Sequence, residues 1–214
     1  MSNSATMAAQ SSTPSTPPNP FRSKRLIYRA IEDNEEDKTF IHNHLNDSAM
    51  YLLSTEVLPR PRTQRNAAEF VARQQSQLLG VMVCLPSEQA GSEDDWRKAT
   101  PIGRVSLKNP MGALTAHHRN ALIGISFIAS ARGQGYGREA INWVLDWAFE
   151  IGGLHRVSLE VLSHNERALG LYRSLGFVEE GRLREAVWQF RKWHDVITLG
   201  MLEGEWLKLR GREE

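Results

Sequence analysis

The chain has a single cysteine, Cys84, so it cannot form an intramolecular disulfide. Cys84 lies in the apolar run 81–85, the setting of a buried strand residue. A nucleophilic role would need an activating neighbour that the local sequence lacks. An excess of one charge is missing too. The 26 Lys and Arg residues face 25 Asp and Glu residues, a formal net charge of +1, and the basic residues are scattered. This balance gives no reason to expect nucleic acid or an anionic membrane as a partner. No apolar stretch approaches the roughly 18 residues that cross a bilayer, and the N-terminus has no hydrophobic signal core. No His, Cys and carboxylate spacing points to a metal site. Residues 1–20 carry no charged side chain and are rich in Ser, Thr, Pro, Asn, Ala and Gln. We therefore expect a disordered tail over 1–23 and one domain over 24–214. The expected location is the cytoplasm, with the nucleus not excluded.

The rest of the composition is ordinary: 41% apolar and 24% charged over 214 residues, enough for one domain with a real core. Residues 25–30 alternate as a half-buried strand does, and the acidic run 32–37 starts a helix. Residues 47–61 read as irregular. Thr63 caps a helix that runs to about residue 77. Strands follow at 78–85, 102–107 and 121–128, with a long polar loop over 86–101. The pattern then changes. Residues 135–151 form a helix with Ile141, Val144, Leu145 and Ala148 on one stripe. Next come a strand at 156–162, a short helix at 165–175, and strands from Phe177 and over 195–202. A strand–helix–strand unit spanning 121–162 should be parallel. The expected fold is α/β (α+β), a mixed sheet of about six or seven strands with flanking helices.

The segment Arg132-Gly133-Gln134-Gly135-Tyr136-Gly137, followed by Arg138, joins a strong strand to a strong helix. Its three glycines let the backbone turn sharply and approach a ligand. The helix after it offers unpaired N–H groups and a positive dipole end, which suit a phosphate. It is not a Walker loop, because Gly137 is followed by Arg138-Glu139 rather than Lys-Ser or Lys-Thr. It is not the dinucleotide fingerprint, because its spacing is G-x-G-x-G and it lies deep in the chain.

The segment does resemble the acyl-CoA signature of the GNAT superfamily of N-acetyltransferases, Arg/Gln-x-x-Gly-x-Gly/Ala, with Arg132, Gly135 and Gly137 in the three defined places. The similarity continues through Asn165, Ala168, Tyr172 and Gly176-Phe177. The final strands look like those of the branch containing ribosomal-protein N-terminal, spermidine and amino-acid acetyltransferases. The resemblance implies acetyl-CoA (coenzyme A) as co-substrate, no metal, and direct acyl transfer to an amine. It also implies a sheet splayed between 121–128 and 156–162, with the pantetheine arm in the gap.

Carried over residue by residue, the pyrophosphate would sit on the backbone of Gly133, Gln134, Gly135, Tyr136, Gly137 and Arg138, beside Arg132. Main-chain groups of Phe127 and Ile128 would hold the pantetheine. Asn165 would contact it or simply cap the helix. Tyr172 is the candidate acid for the leaving thiolate, or else a buried aromatic. The strand 121–128 holds no carboxylate or histidine, a departure from several relatives. Glu160 is the nearest candidate base, unless it faces solvent or pairs with an arginine, and Ser126 is a candidate to order a water. His117, His118 and His194 read as surface residues. The acceptor pocket should draw on 45–63 and 184–195. Three acceptor readings remain: a small-molecule amine or amino acid, a peptide N-terminus, and a module that binds acyl-CoA without turnover. A homodimer is compatible with the family.

Overall fold

A computed structural model of the protein describes residues 19–87 and 96–212. Its centre is a seven-stranded sheet in the order β1-β2-β3-β4-β5-β7-β6. The strands are β1 (Ile27–Ala30), β2 (Leu79–Leu85), β3 (Thr100–Lys108), β4 (Asn120–Phe127), β5 (Arg156–Leu162), β6 (Val178–Gln189) and β7 (Lys192–Leu202). Every pairing is antiparallel except β4 with β5, the parallel pair expected of the strand–helix–strand unit. Among the described residues six α-helices flank the sheet: α1 (Glu35–Leu45), α2 (Ser48–Ser54), α3 (Gln64–Gln75), α4 (Tyr136–Asp146), α5 (Glu166–Ser174) and α6 (Glu203–Leu209).

Strand alternation divides the core in two. On one face Val81, Val83, Val105, Ile123 and Leu159 pack against Ile141, Val144 and Leu145 of α4 and Trp206 of α6. On the other, Ile27, Met82 and Cys84 meet Ile41 of α1 and Ala67, Phe70 and Val71 of α3. Each fully buried aliphatic side chain contributes about 1.5–3 kcal/mol. This second cluster covers only the β1–β2 side. Over β3, β4 and β5 the same face carries Arg104, Ser106, Gly124, Ser126, Ser158 and Glu160, a polar floor beside the core.

Helix starts follow their caps. Asn34 accepts from the Asp37 N–H, Thr63 forms a capping box with Asn66, and Asn165 accepts from the Ala168 N–H. The stretch expected to be irregular contains α2. Asp47 caps it by accepting from the Ala49 and Met50 amides, and burial of Met50 and Tyr51 holds so short a helix. The helix expected over 135–151 is α4 plus a wider π turn, Trp147–Ile151, closed by the Gly152 N–H on the Trp147 carbonyl at 2.8 Å.

The expected tail boundary moves. Residues 19–23 belong to the folded unit: the Tyr28 N–H donates to the Phe21 carbonyl (2.9 Å) and Trp143 Nε1 to the Pro20 carbonyl (2.8 Å). Ser23 reaches Glu139 on α4 at 2.7 Å. The remainder of the expected tail, 1–18, and part of the polar loop, 88–95, lie outside the described residues.

The feature that positions the site is where one ladder ends. β4 and β5 pair only at Asn120↔Arg156, Ala121↔Val157 and Leu122↔Ser158. Both strands continue past those residues without pairing with each other, so a gap opens between Ile123–Phe127 and Leu159–Leu162.

Candidate active site

The glycine loop closes the wide end of this gap. Gly133 and Gly135 have φ of +85° and +83°, a region that L side chains avoid. Gly135 is the N-cap of α4 and, unlike the caps of α1, α2, α3 and α5, supplies no side-chain acceptor. The first amide bonded within α4 is that of Glu139, on the Gly135 carbonyl (3.2 Å). The Tyr136, Gly137 and Arg138 amides before it are the free donors of a helix start. A Cβ on Gly133 would lie 3.2 Å from an Arg167 amine nitrogen, and one on Gly135 would lie 3.3 Å from an Arg25 nitrogen. A bare backbone cradle with guanidinium groups at its rim fits a pyrophosphate. The unpaired strands fit an extended amide-bearing arm. The residues present therefore suit coenzyme A.

Arg25, which sequence reading did not single out, straps this loop. Its Nε meets Glu139 at 2.7 Å, its Nη1 donates to the Gln134 carbonyl at 3.0 Å, and its guanidinium lies 4.7 Å over the Tyr136 ring. Burial would raise the Glu139 carboxyl, but bonds from the Arg25 N–H, Ser23 and the Arg25 side chain outweigh it and hold the group lowered. Gln134 turns back onto the Ser130 carbonyl (2.7 Å), and Arg138 donates to Ser174 on α5 (2.6 Å).

Arg132, expected beside the pyrophosphate, is engaged by protein groups. Its Nε donates to the Phe127 carbonyl at 3.0 Å and its Nη2 meets Asp47 at 2.7 Å. It thus joins the end of β4 to the cap of α2. At Ile128 the N–H belongs to the sheet, donating to the Ile102 carbonyl (2.9 Å), and the carbonyl accepts the Ala131 N–H (3.1 Å). By the alternation of an antiparallel ladder, the groups turned toward the gap are those of Ile125 and Phe127.

Tyr172 lies on α5, partly buried, with its ring edge-on to Phe177 at 6.1 Å. Its hydroxyl has no hydrogen-bond partner among the described residues. Burial pushes it up to about 12, which keeps it protonated at neutral pH. Asn165 caps α5, and its amide also donates to the Leu53 carbonyl (2.9 Å); His164 meets the Leu52 carbonyl at 2.7 Å. These bonds and Gln189 on the Thr55 carbonyl (3.2 Å) tie α2 to β5 and to the β6–β7 hairpin.

Glu160 faces away from the Val157, Leu159 and Val161 side, exposed on the polar floor, and pairs with no arginine among the described residues. On the same floor Ser126 is bonded to His44 Nε2 at 2.7 Å, both side chains buried. Burial, then the Arg104 charge, lowers His44 to about 4, so it is neutral at pH 7. His44 was missed because nothing local marks it; α1 and β4 meet only in the fold. Over 184–195 the chain forms hairpin arms and a two-residue turn, Phe190 and Arg191, at φ of +51° and +58°. Trp188, Phe190 and Trp193 there are exposed. His117 and His118 are exposed, and His194 sits against His164 at 4.3 Å. Burial pushes the Cys84 thiol up to about 12, as suits a core residue. Among the described residues no cluster of His, Cys and carboxylates could hold a metal, and no helix is long and apolar enough to cross a membrane.

Comparison with known proteins agrees with this geometry. Residues 25–178 match the acetyltransferase (GNAT) domain model. An uncharacterized prophage-derived N-acetyltransferase of Bacillus subtilis, YokL, is 33% identical over 85% of this chain and 92% of its own length. A spermidine N(1)-acetyltransferase of Vibrio cholerae is 37% identical over 42% of this chain and 52% of its own. The chain spans about half the length of the first curated relatives it matches, 52% and 55%. The solved spermidine N-acetyltransferase of Vibrio cholerae in complex with CoA and spermine superposes with a TM-score of 0.69 at 27% identity, covering 86% of this chain and 99% of that one. Another structure of that enzyme is a dodecamer.

Proposed function

The chain belongs to the GNAT acetyltransferase family, and on that footing we propose that it moves an acetyl group from acetyl-CoA to the primary amine of a small molecule by direct transfer. The carrying observation is the β4–β5 ladder that stops at Leu122↔Ser158 and opens onto a bare glycine cradle at the start of α4. Bound acetyl-CoA supplies an activated acetyl thioester. The Gly133 to Arg138 backbone binds its pyrophosphate, and the Ile125 and Phe127 main chain aligns its arm. The acceptor nitrogen must lose a proton and bond to the acetyl carbon as the carbon–sulfur bond breaks. Glu160, exposed on the floor beside the gap, takes that proton directly or through water. Tyr172 gives its phenolic proton to the departing sulfur.

The bonds from His164, Asn165 and Gln189 onto α2 bridge the rim of the acceptor side. They support a small acceptor over a peptide N-terminus, the second reading. A module that binds acyl-CoA without turnover is the third. We also propose a cytoplasmic location; the relatives are bacterial and give a nuclear one no support. Self-association, as in the dodecameric relative, is proposed and is read by light scattering.

Thiol release from acetyl-CoA over a panel of amines and peptides tests the reading. Transfer predicts release with small amines. Because general acid catalysis contributes about 10²–10⁴-fold, Tyr172→Phe should lower kcat about a hundredfold or more without lowering Tm. CoA binding with no release on any acceptor would favour the module. Unchanged kcat in Tyr172→Phe would remove the acid role.

A further inference from the structure

The polar floor contains a positive charge, Arg104, that no carboxylate meets among the described residues. Arg104 projects from β3 onto the same face as Ser126, its register partner on β4, and Met82 on β2. Its Nε is buried with no hydrogen-bond partner, and its guanidinium forms no ion pair with any described residue. Its contact is with Phe70 of α3, whose ring lies 4.7 Å from the Arg104 guanidinium and 5.1 Å from that of Arg73. Arg104 Nη1 comes within 3.7 Å of where a Gly124 Cβ would stand, so the charge lies against β4 in its unpaired part. Burial, and secondly Arg73, lowers Arg104 to about 10, still a cation at neutral pH.

The contrast with neighbouring arginines matters. Arg25, Arg29, Arg132 and Arg156 each meet a carboxylate. Arg104 is half-buried, and a guanidinium whose Nε is withdrawn from water without such a partner is costly. The Phe70 ring faces the charge but brings no hydrogen-bond acceptor, His44 on α1 is neutral, and Arg73 repels. A planar fork of this kind matches an oxyanion with two acceptor oxygens.

We infer that Arg104 receives a carboxylate carried by the acyl acceptor, so that the acceptor is an amine that also bears a carboxylate rather than a polyamine. This deepens the proposed transfer reaction and rests on it for the place of the acceptor. Glu160 on β5 and Arg104 on β3 flank β4 on one face, an arrangement that suits an ammonium on one side and a carboxylate on the other. A polyamine, all cationic, would bring further positive charge beside Arg104. Two sources offer the group: a free amino acid, or an acidic residue close behind a peptide N-terminus.

The test uses matched acceptors built on alanine, leucine and phenylalanine: the amino acid, its amide and its decarboxylated amine. Spermidine and a tetrapeptide with aspartate at its second position complete the set. Thiol release is followed for the full-length protein and for Arg104→Met and Arg104→Lys. In the unaltered protein at least one amino acid should exceed its amide tenfold or more in kcat/KM. The ratio should shrink to within about twofold in Arg104→Met, mainly through KM, and partly in Arg104→Lys. A peptide that exceeds every amino acid would assign the carboxylate to an acidic side chain. Independently of turnover, the N-acetylated amino acid should bind the CoA-loaded protein tenfold or more tightly than the N-acetylated amide, and lose that advantage in Arg104→Met. Tm of Arg104→Met should not fall, since an unpaired charge is removed.

Equal use of acid and amide, preference for spermidine, or a ratio untouched by Arg104→Met would overturn the inference. A large fall in Tm would make Arg104 structural and overturn it too. If no acceptor releases thiol but the acetylated acid still binds selectively through Arg104, the transfer reaction fails while the carboxylate site stands.

Discussion

Replacing Asp47, which lies 85 residues before Arg132, should weaken CoA binding nearly as much as replacing Arg132 itself. In the structure Arg132 ties the Phe127 carbonyl to Asp47, so we expect its contribution to pass through loop placement rather than phosphate charge. The two side chains are 26% and 22% exposed, which limits the ion pair to about 1 kcal/mol after solvent screening. That is about fivefold in Kd. Asp47→Asn retains an oxygen to cap α2 and removes only the charge, whereas Asp47→Ala also loses the cap, a further ~1 kcal/mol of stability. Calorimetric titration of CoA into the wild type, Arg132→Gln, Asp47→Asn and the double variant forms a cycle. The expected coupling is about 1 kcal/mol, with the double variant little worse than Arg132→Gln. A neutral Asp47→Asn beside a more than tenfold loss in Arg132→Gln would refute the link and put the guanidinium on the phosphates.

Two further outcomes follow from the same geometry. His44 is held well below the ordinary histidine value, at about 4. As pH falls through about 6.5 the unfolded chain binds the proton first, so stability is complete above that pH and declines down to about 4, by at most ~1.4 kcal/mol per unit. Urea midpoints at pH 7 and pH 5 should therefore differ less in His44→Gln than in the wild type, and an equal difference would contradict this. Gly133→Ala places a Cβ at φ +85° and should cost about 1–2 kcal/mol, together with CoA affinity. Gly137→Ala, whose Cβ would meet only ordinary contacts at 3.6 Å and 3.9 Å, should stay near wild type in both. Similar behaviour of the two alanine variants would sink the cradle argument.

Much of the fold was readable because it repeats local rules. The 2-residue alternation marked 25–30, a strongly apolar run marked the strand 121–128, the helical stripe marked 135–151, and an intervening helix demanded a parallel pair. Helix α2 escaped because seven residues carry too little periodicity; its cap and its burial against β4 and β5 decide it. The loop was legible because glycine spacing is a backbone property. The link from Arg132 to Asp47 was not, since that partner is distant in sequence and the motif names only the residue. Likewise Ile128 was expected to face the cofactor, and only the register with Ile102 shows its N–H committed to the sheet.

By itself the sequence determined a mixed α/β domain with a glycine-rich loop at the start of one helix and a tyrosine, Tyr172, on the next. Those features reside in short stretches whose geometry the backbone sets. Tertiary structure alone decided which side chains share the polar floor. His44 reaches Ser126 across 82 residues, Arg25 straps a loop 109 residues away, and Arg104 is left without a carboxylate among the described residues. Charge pairing and burial depend on distance in space, and single-sequence patterns record only distance along the chain.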